Sequence, residues 1–185
     1  CVAENRARAL AALGASAIAD RLVEPRQVHG DAVVVIDSAV PDALAAARAL
    51  AQAGADAIVC TVPGVPVLLC FADCVPIVLT APGGFAVVHS GWRGTLARIG
   101  AKALAVLCEQ VGCAPEQVTA YVGPHVSGAD YEVSPELLAT FEGEFGTMVH
   151  AAETESKLDL SAAIRCALEQ AGADPARIVD TCPST

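Results

Sequence analysis

The chain has 185 residues, enough for one domain with a full core, and its 54% hydrophobic and 17% charged content argues against disorder. A net charge of −10 and a pI near 4.7, with no basic run, weigh against nucleic acid as a partner. No apolar run reaches membrane-spanning length and no secretory signal pattern opens the chain, so neither a membrane role nor export is expected.

Taken in order, Ala3 to Leu13 reads as a helix stopped by Gly14, with Ala7, Leu10 and Leu13 along one side. Val23 to Gly30 is extended and turns at Gly30-Asp31. Ala32 to Asp37 is a strand, and Pro41 to Gln52 is an Ala-rich helix closing at Gly54. Asp56 to Thr61 is a short strand ending in the loop Val62-Pro63-Gly64.

The stretch Leu68 to Gly94 is the centre of the chain. It reads as two apolar strands joined at Pro82-Gly83-Gly84. A turn centred on Pro82-Gly83 sets Thr80 opposite Phe85, Val78 opposite Val87, Pro76 opposite His89 and Cys74 opposite Gly91. Cys74 and His89 then share a face as diagonal neighbours, roughly 7–8 Å apart at the backbone. Val75, Ile77, Leu79, Ala86 and Val88 fall on one face, with Val78, Phe85 and Val87 on the other, so both faces need cover. Beyond the hairpin, Gly94 to about Gln110 reads as a helix with Leu96, Ile99, Ala103, Val106 and Leu107 inward. Val118 to Val122 is a strand, Pro135 to Phe145 and Ser161 to Ala171 are helices, and Ile178 to Asp180 is a final strand. The mixture of strand pairs and helices places the chain in the α/β or α+β class, built in layers.

The eight cysteines (Cys1, Cys60, Cys70, Cys74, Cys108, Cys113, Cys166 and Cys182) include several inside apolar runs, and none form a Cys-x-x-Cys pair. Free buried thiols in a reducing cytosol fit better than a disulfide framework. His29, Cys74 and His89 have metal-ligand chemistry, and a thiolate with two imidazoles suits zinc, leaving a fourth position open. The plainer alternatives are a turn histidine bonded to backbone, a structural thiol and a core histidine at a strand end. His125 and His150 read as surface or loop residues.

Gly91-Trp92-Arg93-Gly94 leads into a helix, where free backbone N–H groups and the Arg93 guanidinium could cradle an anion. Otherwise Arg93 pairs with a carboxylate and Trp92 packs as core. Asp73 could act as acid/base or orient a ligand histidine, or simply cap a bend. Gln27 shares the face of His29 in an extended segment and could meet a substrate.

Gln27-Val28-His29-Gly30, Ala72-Asp73-Cys74-Val75-Pro76 and His89-Ser90-Gly91-Trp92-Arg93-Gly94, in that order, resemble the signature of the YfiH-like laccase-domain family. Asp56-Ala57 before Thr61, and Val122-Gly123-Pro124 leading to Tyr131-Glu132-Val133, fit it as well. The resemblance implies a single domain over 1–185 with a layered α/β/β/α sandwich of mixed sheets, related to toxin-type cysteine hydrolases. It implies zinc, with copper less favoured, on His29, Cys74 and His89. It also implies purine nucleosides and phosphate as substrates, through phosphorolysis of adenosine, inosine, guanosine or methylthioadenosine and deamination of adenosine. The family's usual N-terminal Gly-Gly-Val-Ser-type segment and its C-terminal aromatic-Arg-Arg segment after a Cys-Thr pair are expected to be missing here, where Cys182-Pro183 leads to the end.

A four-copper laccase needs several His-x-His pairs, whereas this chain has four His and one Met. From the resemblance, the leading expectation is a cytoplasmic zinc-dependent purine nucleoside phosphorylase and adenosine deaminase, a monomer or weak homodimer. In it Cys74, Asp73 and Arg93 are catalytic, and Gln27, Arg93 and Gly94 bind substrate. Two alternatives stay open: a Cys74–His89 thiol hydrolase or amidase acting on cell-wall precursors, and a zinc-stabilised module without turnover.

Overall fold

A computed structural model describes residues 1–151, 156–180 and 184–185; the expectation at Cys182-Pro183 lies outside the described residues. The elements in chain order are α1 (Val2–Ala12), β1 (Val33–Ile36), α2 (Pro41–Ala53), β2 (Ala57–Cys60), β3 (Val75–Ala81) and β4 (Gly84–Ser90). They continue with α3 (Trp92–Leu96), α4 (Ile99–Val111), β5 (Thr119–Val122), α5 (Pro135–Phe145), α6 (Leu160–Gln170) and β6 (Ile178–Asp180). The mixed α/β class expected from the sequence is the one observed.

The six strands form one mixed sheet in the order β1-β2-β4-β3-β5-β6. β1 and β2 are parallel because α2 carries the chain back between them, and β5 and β6 are parallel across α5 and α6. The centre is antiparallel, where β4 pairs with both β2 and β3, and β3 with β5. The hairpin register follows the Pro82-Gly83 turn, with Thr80 opposite Phe85, Val78 opposite Val87 and Pro76 opposite His89. Gly83 takes φ +94° there, a conformation L side chains rarely adopt.

Two apolar clusters hold the layers. Val75, Ile77, Leu79, Ala86 and Val88 are fully buried against Ile99, Ala103, Leu104 and Leu107 of α4, with Phe141 of α5 and Leu168 of α6 in the same cluster. On the other face Val34, Ile36, Ile58 and Cys60 pack beneath Leu44, Ala47 and Ala51 of α2. Cover on that second face thins across the hairpin, where Val78, Phe85 and Val87 are only half-buried and Tyr121 of β5 is exposed.

Four local details depart from the sequence reading, the first two through left-handed backbone at single residues. The first hairpin arm starts at Val75 rather than Leu68, because Asp73 adopts a left-handed backbone (φ 68°) that breaks the strand. The helix expected over Gly94 to Gln110 is two helices, split where Arg98 is left-handed (φ 58°). In α4 the inward set includes Leu104 and Cys108, with Val106 half-buried. His125, read as a surface or loop residue, is buried, and its Nδ1 lies 2.8 Å from the Gly123 carbonyl. The seven described cysteines are all free thiols.

Candidate metal centre

His89 is the next-to-last residue of β4, and its ring is carried on the rigid middle of the sheet. Cys74 directly precedes β3 and stands beside it after the Asp73 kink. His29 comes from the loop between Val23 and β1, with a left-handed backbone (φ 58°) that is uncommon for a residue with a Cβ. One ligand atom from each of the three can be chosen so that all lie within 4.8 Å of one another. The two imidazoles meet edge-to-face, with ring centroids 4.8 Å apart. Tetrahedral zinc holds such donors about 3.4–3.6 Å apart, so a shift of roughly 1 Å would close the three around an ion. The glycine at 91 keeps the space clear, since a Cβ there would come within 2.9 Å of the Cys74 sulfur and 3.1 Å of His29 Cδ2. Donor chemistry and open volume thus fit a metal ion.

The three residues line an open pocket of about 320 Å³ together with Gln27, Cys70, Phe71 and Ala72. The Phe71 ring lies 5.6 Å from that of His89. On the other side of Cys74 a narrow slot of about 50 Å³ is walled by Trp92, Val126, Tyr131 and Leu160. Burial, and then the charge of Cys74, push the Tyr131 phenol up.

A fourth group, not singled out as a site residue from the sequence, joins two of the three. Asp56 is fully buried just before β2. Its Oδ1 accepts from the His29 backbone N–H at 3.0 Å and lies 2.8 Å from His89 Nδ1. Its Oδ2 accepts from the Val28 and Gly30 N–H groups at 3.1 and 2.8 Å. Burial by itself would raise this carboxyl; the bonds from Gly30, His89, Val28 and His29 outweigh it and hold Asp56 below its ordinary range. The sequence signal for Asp56 was its place in the family-like Asp56-Ala57 pair, but spacing alone could not say that it faces His89.

The Cys74 thiol is pushed the other way. Burial raises it first, and the nearby charges of Asp73 and Asp56 raise it further. A metal-free thiolate nucleophile is disfavoured in those surroundings, whereas a cation between the sulfur and the imidazoles would reverse the balance.

The other sequence candidates take up defined places. Both ends of the Gln27 amide bond the Cys70 backbone at 2.8 Å, so the side chain imitates a strand partner at the pocket rim. Arg93 is exposed and stacks on Trp92, its guanidinium carbon 4.3 Å from the ring centroid. Gly94 is buried, and a Cβ on it would come within 3.1 Å of the Gly30 carbonyl, so α3 packs closely on the His29 loop. Asp73 is exposed and accepts from the Thr185 hydroxyl at 3.3 Å, while its carbonyl accepts from Val126 at 3.1 Å. His150 stays apart from the centre, 3.5 Å from the Glu142 carboxylate.

A family model described as multi-copper polyphenol oxidoreductase laccase matches residues 1–185. The chain belongs to this laccase-domain family. Among its relatives are a purine nucleoside phosphorylase of Deinococcus radiodurans, 38% identical over 174 residues, and an adenosine deaminase RL5 of an unknown prokaryotic organism, 35% identical over 169 residues. These alignments take in 92% and 88% of this chain but 63% and 64% of the relatives, so the chain spans less than two thirds of their length. A purine nucleoside phosphorylase of Mycobacterium tuberculosis is 32% identical over 184 residues, 98% of this chain and 69% of the relative. Among solved structures, YlmD of Geobacillus stearothermophilus superposes with a TM-score of 0.80 at 27% identity, covering 96% of this chain and 68% of that one. The hypothetical protein YfiH of Bacillus licheniformis gives the same TM-score at 25% identity. Among the described residues no helix is long and apolar enough to cross a membrane.

Proposed function

We propose that the chain is the zinc-binding part of a purine nucleoside phosphorylase that also deaminates adenosine, with His29, Cys74 and His89 as ligands. The observation that carries this reading is the convergence of these three donors on one open pocket. The relatives named for purine nucleoside phosphorolysis and adenosine deamination supply the substrate class. Zinc is favoured over copper because one thiolate and two imidazoles leave a fourth, open position, and four histidines in all are too few for a multicopper cluster.

Bound there, zinc would supply a Lewis acid that polarises an oxygen of substrate or water. The chain's own residues do the rest. Arg93, exposed and stacked on Trp92, would offer a two-pronged donor for phosphate, and the backbone N–H of Gly94 lies in the same short helix. In phosphorolysis a phosphate oxygen forms the new bond to the sugar C1′ while the C1′–N9 bond breaks, and the base leaves with a proton. To Asp73, exposed next to Cys74, we assign the relay of that proton from the hydrogen phosphate to the departing base. Gln27 borders the pocket and shapes the rim against which the nucleoside would lie.

The test is the variant His89→Ala with inosine and phosphate. Loss of stoichiometric zinc together with phosphate-dependent release of base is expected; retention of both would remove the proposal. Activity that survives chelation yet is lost to iodoacetamide would instead favour a thiol enzyme, with Cys74 as the nucleophile the sequence reading named.

A further inference from the structure

We propose that Asp56 is the positioning residue of this centre: one buried carboxylate holds the backbone of His29 and the ring of His89 so that both imidazoles are aimed before any ion arrives. The inference rests on reading the three donors as a metal centre, and not on which nucleoside is turned over.

Asp56 has two oxygens and receives four bonds. Three come from consecutive backbone N–H groups, Val28, His29 and Gly30, at 3.1, 3.0 and 2.8 Å. Three successive N–H groups pointing at one anion form a concave nest, a geometry that needs at least one left-handed residue. His29 is that residue, at φ 58°. The conformation that turns the His29 ring toward Cys74 is thus one that the carboxylate stabilises and that a free loop would seldom hold.

The fourth bond is to the ring of His89, 2.8 Å from Nδ1. A carboxylate can only accept, so Nδ1 carries the proton and the lone pair sits on Nε2, the nitrogen left to bind metal. The partnership is built into the sheet. Ala57 pairs with Val88, and one step further the His89 N–H donates to the Asp56 carbonyl at 2.7 Å. Asp56 therefore stands directly across from one ligand and reaches over to the loop bearing another. Close packing of Gly94 against the Gly30 carbonyl seats that loop from the far side.

An amide of the same shape cannot do this work. Asn at position 56 accepts through one oxygen only, and its NH₂ would face N–H donors. The test uses apo protein and the variant Asp56→Asn, with zinc alone as ligand. Zinc affinity is read by competition with a chromophoric chelator, and coordination by the visible spectrum after cobalt(II) loading. The expected result is about 10- to 100-fold weaker zinc binding and altered cobalt bands, with an unchanged far-ultraviolet circular dichroism spectrum. A folded variant with parental affinity and parental cobalt bands would overturn the proposal. Should the variant not fold, nitrogen-15 NMR of the parent apo protein decides: a His89 protonated on Nδ1 supports the assignment and one protonated on Nε2 refutes it. Tight zinc binding by a parent that cleaves no nucleoside would sink only the substrate reading. A parent that binds no zinc would take both down.

Discussion

At the scale of single residues, Cys74 makes the centre sensitive to protons. Its thiol lies above the ordinary value, through burial first and then the charges of Asp73 and Asp56, so without a cation it is protonated at neutral pH. Zinc binds the thiolate, so loading must expel that proton. The sign follows: affinity rises with pH as long as the solution stays below the thiol's raised pKa, and falls on acidification. Calorimetry in buffers of different ionisation enthalpy should register about one proton released per zinc bound at pH 7–8. Zero net release would mean that the sulfur is not a ligand. Asp56 shows how much one side chain can organise, and although the Asp56-Ala57 pair stood out in the sequence, its role did not, for a simple reason. Nothing in its neighbours announces that its partners lie 26 to 33 positions away.

Among the elements, the hairpin was legible from its own residues. A turn centred on Pro82-Gly83 fixes which residues face each other across the two apolar strands, and that register is present, although of the two faces expected to need cover only the one bearing Val75, Ile77 and Leu79 is fully buried. The helix after it was not legible in full. Helical periodicity runs through Arg98, but its left-handed backbone is held by contacts from elsewhere, a bond to Gln170 at 2.7 Å and stacking over Phe145 at 5.0 Å. The resulting break swings α4 across the sheet, where it meets the hairpin at Gly84. A Cβ there would lie 2.9 Å from Val111 Cγ1, 3.1 Å from Leu107 Cδ1 and 3.1 Å from the Cys60 carbonyl, which as backbone cannot turn aside. Gly84→Ala should cost about 1–3 kcal/mol in urea unfolding. A neutral result would show that α4 can lift off the hairpin at no expense.

For the whole molecule, the centre ties together parts of the chain that are otherwise separate. His29 belongs to the loop before β1, Cys74 to the entry of β3, and His89 to β4. An ion that binds all three favours the folded state and leaves the unfolded chain little affected. With free zinc held about 100-fold above its dissociation constant, the gain is about 2.7 kcal/mol, or roughly 5–11 °C in melting temperature for a chain of this size. A chelator should return the transition to its apo position. A melting temperature indifferent to zinc would argue that the three donors do not share an ion.

From the residues in order came the element types, the hairpin and its register, the free thiols, and three donors with the right chemistry for a metal. These are local matters: turn chemistry, periodicity and side-chain type are decided within a few positions. Tertiary structure decided what is close to what. It brought His29 across to the hairpin, turned Asp56 onto both imidazoles, bonded the Gln27 amide to the Cys70 backbone, broke the helix at Arg98 and buried His125. Each of these depends on contacts between distant segments, whose cost in chain entropy is met only when the two cores close together.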